Sequence, residues 1–419
     1  MLRHYFLISA KVFARRPFFT FVSLFGICLT LVVLTLVAAF LDHTFGAVAP
    51  EVHTDRMLGV FAVVLESEDG RHYQGEASYR LLDRELRELD GAELVSLASV
   101  PQSAATFVDG RKVPLRVRHV DGAFFQLLEF QVLEGRTLTD EDHVRAEPVA
   151  VINLETRRRL FGDGPAIDQS FDVDNQRLRV VGVVANVPSF RPISSSDVWA
   201  PVTSAPGEVD RRGLTGRFQA FILARTRQDL GPVAEDVEAR FASVDISEAD
   251  GYDRLEVRAE TLFAAVCRRL MEILDEDEEG GPPPAERVRL ILAVGALLFM
   301  ALPALNLVNL NVSRILERAP EIGVRKSFGA SSRALALQFL VENLMLTVVG
   351  GLLGFVLAAL CLEAVSGSAV VSYAELSMNF RIFGWGLGLA VVFGLVSGVY
   401  PAWKMSRLHP KMALEEGAS

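Results

Sequence analysis

The chain has 419 residues, half of them hydrophobic, and a formal net charge of −10. Its apolar residues gather in a few long runs, which excludes an evenly soluble protein and defines a membrane chain carrying a water-soluble insert. No basic stripe interleaved with aromatics is present, which argues against nucleic acid as a partner, and three scattered cysteines (Cys28, Cys267, Cys361) exclude a disulfide framework.

Residues 1–17 form a basic amphipathic start, with Tyr5, Phe6, Ile8, Val12 and Phe13 suited to the inner membrane surface. The run 18–41 is the first expected span. Ala47-Val48-Ala49 resembles a signal-peptidase site, but the apolar run exceeds the ~7–15 residues of a signal core and Pro50 follows directly, so a retained anchor is expected. Arg3, Lys11, Arg15 and Arg16 before the run, and Asp42 and Glu51 after it, place the N-terminus inside.

The insert, 43–287, alternates strand and helix patterns and is expected to be an α+β extracytoplasmic domain. Residues 57–65 are an apolar run of strand length. Tyr79, Leu82, Leu86 and Leu89 recur at helical spacing, which predicts a helix over 78–89 with Ser78 as cap. Val113, Leu115 and Val117 alternate with polar residues as a half-buried strand. A strand at 148–152 precedes a helix at 154–161 closed by Gly162. Phe171 and Val173, then Leu178 and Val180, flank an Asp174-Asn175 turn and predict a hairpin. A strand at 218–224 precedes a helix through Leu230, Val233, Val237 and Phe241, and the same order repeats at 255–257 and 262–274. The Pro- and Ser-rich stretch 188–206 is expected to mark a junction between two subdomains.

The acidic stretch 275–284 returns the chain to the membrane. With Glu286 it approaches the spacing of a calcium loop, but Pro282, Pro283 and Pro284 stiffen it and favour a solvated linker, so no metal site is expected. The second span is 290–312, with a kink expected at Pro303. Residues 313–334 form a charged connector; 335–362 is the third span, 363–381 an outer loop, 382–403 the fourth span and 404–419 a cytoplasmic tail. Arg314, Arg318, Arg325, Lys326 and Arg333 put the connector inside, and Lys404, Arg407 and Lys411 do the same for the tail.

Gly350 and Gly354 in the third span, and Gly394 and Gly398 in the fourth, have the small-xxx-small spacing of close helix packing, either within the chain or across a dimer seam. Glu342, the carboxylate in the inner half of a span, fits a structural role, snorkelling to the interface or pairing with a connector arginine. The sequence carries no P-loop, HExxH, CxxC pair or GxSxG elbow, and its seven histidines lack metal-ligand spacing, so neither catalysis nor a cofactor is expected in this chain. The connector holds the strongest signal. Glu321 and Arg325 pair at i,i+4, Pro320 suits a first helical turn and Gly329 its end, while Ile322, Val324 and Phe328 are apolar among charges, as at a contact surface.

The segment ERAPEIGVRKSFGASSRALALQFLVENLMLTVVGGLLG resembles the connector and third span of FtsX/MacB-type ABC transporter permeases. SGVYPAWKMSRLHPKMALEEG resembles that family's ending, and DGAFFQLLEFQVLEGRTLTDED and PVAVINLETRRRLFGDGPAI resemble parts of its MacB-type periplasmic core domain. Pro320 departs from the family's usual basic or polar residue. The resemblance implies an inner-membrane permease with four transmembrane helices and both termini in the cytoplasm, its core domain inserted between the first and second. It also implies a homodimer or heterodimer served by a separate cytoplasmic ATPase that holds ATP and Mg, and leaves room for a periplasmic adaptor. Glu317, Arg318, Glu321, Ile322, Gly323, Arg325, Lys326 and Gly329 map onto the ATPase-coupling segment. The implied role is mechanical transmission for efflux or extraction of an amphipathic drug, peptide or lipoprotein. The alternative is a membrane-anchored extracytoplasmic sensor coupled to a signalling partner.

Overall fold

A computed structural model of the chain describes residues 17–173, 176–205, 207, 213–246, 251–274, 283–317, 324, 328, 331–366 and 380–406. Asp42–Ala285 make one compact unit, and the apolar helices before and after them make the other. Residues 1–16 of the expected N-terminal segment, the Asp174-Asn175 turn, most of the acidic stretch, most of the outer loop and the tail beyond 406 lie outside the described residues.

The first helix, α1 (Pro17–Phe45), leads into β1 (Met57–Val60), β2 (Val63–Glu66) and β3 (His72–Gly75). Then come α2 (Tyr79–Leu86), β4 (Ala92–Ser99), β5 (Gln102–Val108), β6 (Arg111–Val120) and α3 (Phe124–Leu127). After β7 (Val132–Gly135) follow α4 (Asp140–Val144), β8 (Val149–Asn153), α5 (Leu154–Phe161), β9 (Ser170–Val173) and β10 (Gln176–Val184). The soluble unit closes with β11 (Val198–Pro201), β12 (Phe218–Ala224), α6 (Leu230–Ala242), β13 (Arg254–Val257) and α7 (Leu262–Ile273). Three long helices remain: α8 (Pro284–Glu317), α9 (Ser332–Ser366) and α10 (Phe380–Ser406).

Ten strands form one mixed sheet in the order β1-β12-β4-β6-β11-β8-β10-β7, with β5 on β6 and β9 on β10; β13, β2 and β3 form a second, smaller sheet. The apolar run 57–65, which reads as one strand, serves both sheets. Met57–Val60 pair with β12, and after a break at Phe61 and Ala62 the chain re-enters as β2 against β13. Leu58, Val60, Val63 and Leu65 share one core, while Met57 and Phe61 pack into another. The alternation thus shifts by one residue across the break, and an unbroken apolar run hides the change of sheet.

Local signals hold elsewhere. Ser78 caps α2 by accepting from the Leu81 N–H at 3.2 Å, although the helix ends at Leu86 and Leu89 is buried in the following turn. Asn153 caps α5 through the Thr156 N–H at 2.7 Å, and Gly162, at φ +57°, ends it where a side chain would be strained. The hairpin pairs Phe171 with Leu178.

The stretch 188–206 does not separate subdomains. It supplies β11, which lies between β6 and β8 in the middle of the large sheet. Its polar residues are tolerated inside because each finds a backbone or side-chain partner: the Arg116 N–H donates to Asp197 at 2.8 Å, and the Ser196 hydroxyl to the Arg116 carbonyl at 2.8 Å.

Thr139 and Asp142 form a capping box at the start of α4, and Arg136 donates to both Asp142 oxygens, at 2.6 and 2.8 Å. Those bonds, ahead of the Thr139 contacts, hold the Asp142 carboxyl down at about 2. Because the folded value lies below the unfolded one, the associated stability is complete above the unfolded pKa, ~3.9, and is lost as pH falls toward the folded value. Asp142→Asn should therefore cost about 1–2 kcal/mol at pH 7, allowing for the half-exposed Arg136. Thermal melts of wild type and variant should converge near pH 2; a gap that stays constant with pH would refute the assignment.

Among the described residues, Pro17–Phe45 and Leu340–Ser366 are long and apolar enough to cross a membrane, and Phe380–Val396 is a shorter apolar helix. The second expected span falls within α8, which continues as helix through Pro303.

Candidate coupling site

The expected connector, 313–334, starts inside α8, which runs to Glu317. Arg318, Glu321, Ile322, Gly323, Arg325, Lys326 and Gly329 lie outside the described residues. The two described apolar positions between them, Val324 and Phe328, are exposed, Phe328 at 89 %, and the Phe328 N–H donates to the Val324 carbonyl at 3.1 Å, one helical turn. A phenyl ring that open costs free energy in water unless something covers it.

Within the helical unit, the expected packing glycines sit at seams inside the chain. A Cβ on Gly350 would stand 3.0 Å from Ile27, and one on Gly354 3.3 Å from the Cys28 carbonyl oxygen, both on α1. A Cβ on Gly394 would stand 2.5 Å from the Thr347 hydroxyl on α9. Gly398 lies within α10. Ile27, Leu31 and Leu346 are buried at this seam with Leu24, Leu387 and Ala390 against them. The hydroxyls of Thr30, Thr35 and Thr347 each donate to a carbonyl four residues back, at 2.8, 2.6 and 3.0 Å, which satisfies them in an apolar setting. A cavity of about 20 Å³, bounded by Thr30, Met300, Thr347 and Phe393, is the size of a single water. Gly350→Leu should jam the α1–α9 seam; it should lower the melting temperature of the detergent-solubilised chain by several degrees, whereas Gly388→Leu, where the added Cβ meets nothing within 4 Å, should not. Equal melts would place Gly350 away from the seam.

Glu342 is 2 % exposed and Asn343 1 %, with Gln338 buried on the same helix. Glu342 therefore faces the protein interior and does not snorkel to the interface. Its burial matches the rule that intramembrane polar residues turn toward protein.

One charged cluster has no counterpart in the sequence reading. Just past the last turn of α1, Glu51 is fully buried, as are Arg191 and, at 1 % exposure, Arg118. Glu51 accepts from the Ser194 N–H at 3.1 Å and the Ser194 hydroxyl at 2.5 Å, and faces Arg191 at 3.5 Å. Arg191 donates to the carbonyls of Val48 at 2.9 Å and Gly46 at 3.4 Å. Arg118, on β6, donates to the carbonyls of Ile193 and of Pro192, the latter at 2.7 Å. Burial pushes the Glu51 carboxyl up and both guanidiniums down, Arg118 to about 9, while the opposite charges pull each back toward ionisation. Sequence offers one hint: a carboxylate placed directly after a span. Its partner is 140 residues away, where no pattern points to it.

Among the described residues no group of histidine, cysteine, aspartate and glutamate side chains is arranged to hold a metal. The chain thus holds an apolar helical unit, an exposed apolar turn in the connector and a sheet unit with buried charges inside Asp42–Ala285.

Two apolar helices long enough to cross a membrane, with a sheet unit between them in the sequence, mark a membrane chain with a folded insert. The MacB-like periplasmic core domain model matches residues 20–240, and the FtsX-like permease C-terminal model matches residues 293–410. The chain belongs to the FtsX/MacB-type ABC transporter permeases. It is 27 % identical over 335 residues to the macrolide export ATP-binding/permease protein MacB of Bdellovibrio bacteriovorus, covering 78 % of this chain and 48 % of that one. To the uncharacterized ABC transporter permease YvrN of Bacillus subtilis it is 28 % identical over 308 residues, covering 71 % and 69 %. To the pyoverdine export ATP-binding/permease protein PvdT of Pseudomonas aeruginosa it is 24 % identical over 332 residues, covering 77 % and 47 %. The chain thus spans about half the length of the ATP-binding/permease relatives it matches. The periplasmic region of MacB from Actinobacillus actinomycetemcomitans aligns with a TM-score of 0.37 at 11 % identity, over 54 % of this chain and 94 % of that one.

Proposed function

We propose that this chain is the transmembrane subunit of an ABC transporter and works as a mechanical transmitter with no chemistry of its own. The observation that carries the reading is the placement of the sheet unit directly after an apolar membrane-length helix and before the permease segment. In this reading α1, α8, α9 and α10 cross a bacterial inner membrane, with both termini in the cytoplasm and 43–287 in the periplasm. The alternation of basic and acidic flanks supports that topology. The connector, through Glu317, Arg318, Glu321, Ile322, Gly323, Arg325, Lys326 and Gly329, docks on a separate cytoplasmic ATPase, and the exposed Val324 and Phe328 supply its apolar contact. ATP and Mg belong to that partner. Two permeases, identical or different, assemble around it, and a periplasmic adaptor completes the path. Relatives named for macrolide and pyoverdine export support an amphipathic cargo. Affinity purification of the tagged full chain from its host membrane should recover a P-loop ATPase near one-to-one by mass spectrometry. Recovery of a histidine kinase in its place would replace the transmitter with a sensor.

A further inference from the structure

The turn between α1 and the sheet unit is tied down more heavily than a connection needs. The last turn of α1, from Asp42, belongs to the same compact unit as the sheets. His43 lies 5.4 Å from the Phe190 ring, and Phe45 meets Phe263, at the start of α7, edge-on at 5.2 Å. A cation just past a helix C-terminus is favoured by the helix dipole. Arg191 donates to the carbonyls of Gly46 and Val48, in the turn that follows α1, with one guanidinium that also faces Glu51. Glu51 in turn holds the Ser194 backbone and hydroxyl, so the segment after α1 and the segment before β11 are stitched in both directions. Arg118 then fastens that second segment to β6 through Pro192 and Ile193, in the interior of the large sheet. Charges buried this deeply are costly and are not needed merely to fill a core.

We propose that Arg191, held by Glu51, is the positioning residue that fixes the root of the first membrane helix to the sheet unit, so that displacement of the helix moves the sheet instead of bending the turn. The inference rests on the transmitter reading for its purpose, but the joint itself is testable without any partner. Hydrogen exchange followed by mass spectrometry on the full chain in nanodiscs reads the amides of 42–52 separately from those of β6, β8, β11 and β12. Arg191→Met combined with Glu51→Leu removes both charges of the pair together and leaves Arg118 on the carbonyls of Ile193 and Pro192. Exchange in 42–52 should rise about tenfold or more while the four strands keep their protection. Arg191→Lys, a single point donor that cannot span two carbonyls and a carboxylate, should give an intermediate rise with the fold intact. Unchanged exchange in 42–52 for both variants would overturn the joint. So would a rise in 42–52 for Arg191→Lys that the strands share equally, since Arg191 would then serve only to fold the unit. A second arm uses the purified transporter with its ATPase: the double variant should keep ATP turnover and lose ATP-driven movement of the sheet unit. If wild type shows no such movement, the transmitter reading fails while the exchange result still decides the joint.

Discussion

Reversing the two central cations of the connector, Arg325→Glu together with Lys326→Glu, should cut the ATPase recovered with the purified chain about tenfold or more, because charge reversal at a docking surface replaces attraction with repulsion and strands its partners. Glu321 precedes Arg325 by four residues, so in the helix expected from the sequence the same change also sets two carboxylates against each other. Arg314, Arg318 and Arg333 still flank the adjoining apolar runs, so insertion and topology should persist. Fractionation and an ATPase pull-down measure both. Wild-type recovery of the ATPase from the variant would move the contact elsewhere.

Trp199→Ala carries the largest expected stability change. The indole is fully buried on β11, across from Arg118 on β6 and Val151 on β8, with Phe130 edge-on at 5.3 Å and Phe125 at 6.4 Å. Removing it opens a cavity among aromatics that cannot collapse, at a cost of roughly 3–5 kcal/mol. Trp199→Phe keeps most of the ring packing and should cost well under half of that. Chemical denaturation of the full chain in detergent, followed through the soluble unit, separates the two. An alanine variant as stable as the phenylalanine one would mean the sheet does not close around this side chain.

Sequence made much of this architecture legible because the signals involved are local. Membrane-length apolar runs announce α1 and α9, and Ser78, Asn153 and Gly162 mark helix ends by chemistry that acts over three or four residues. A Cβ added at Gly350 or Gly354 would meet α1 and one at Gly394 would meet α9. What stayed hidden depends on distance along the chain. The run 57–65 looks like one strand because it is apolar throughout, which hides the one-residue shift between the two sheets. The stretch 188–206 looks like a boundary because prolines and serines usually face water, yet here Ser194, Ser196 and Asp197 are partnered inside the sheet unit. Glu51 and Arg191 look like ordinary surface charges until the fold brings them together. Buried ion pairs have no periodicity, so no window along the chain could have found this one.

The central claim is that energy spent at the connector reaches the sheet unit as movement. The direct test is the distance between spin labels at Leu352→Cys, an exposed position on α9, and Asp163→Cys, an exposed loop position after α5, with the native cysteines replaced. Double electron–electron resonance on the ATPase-bound transporter in nanodiscs should show a shifted distance distribution when the ATPase is trapped with ATP and vanadate. Identical distributions with and without trapped nucleotide, in a complex that binds and turns over ATP, would contradict the account.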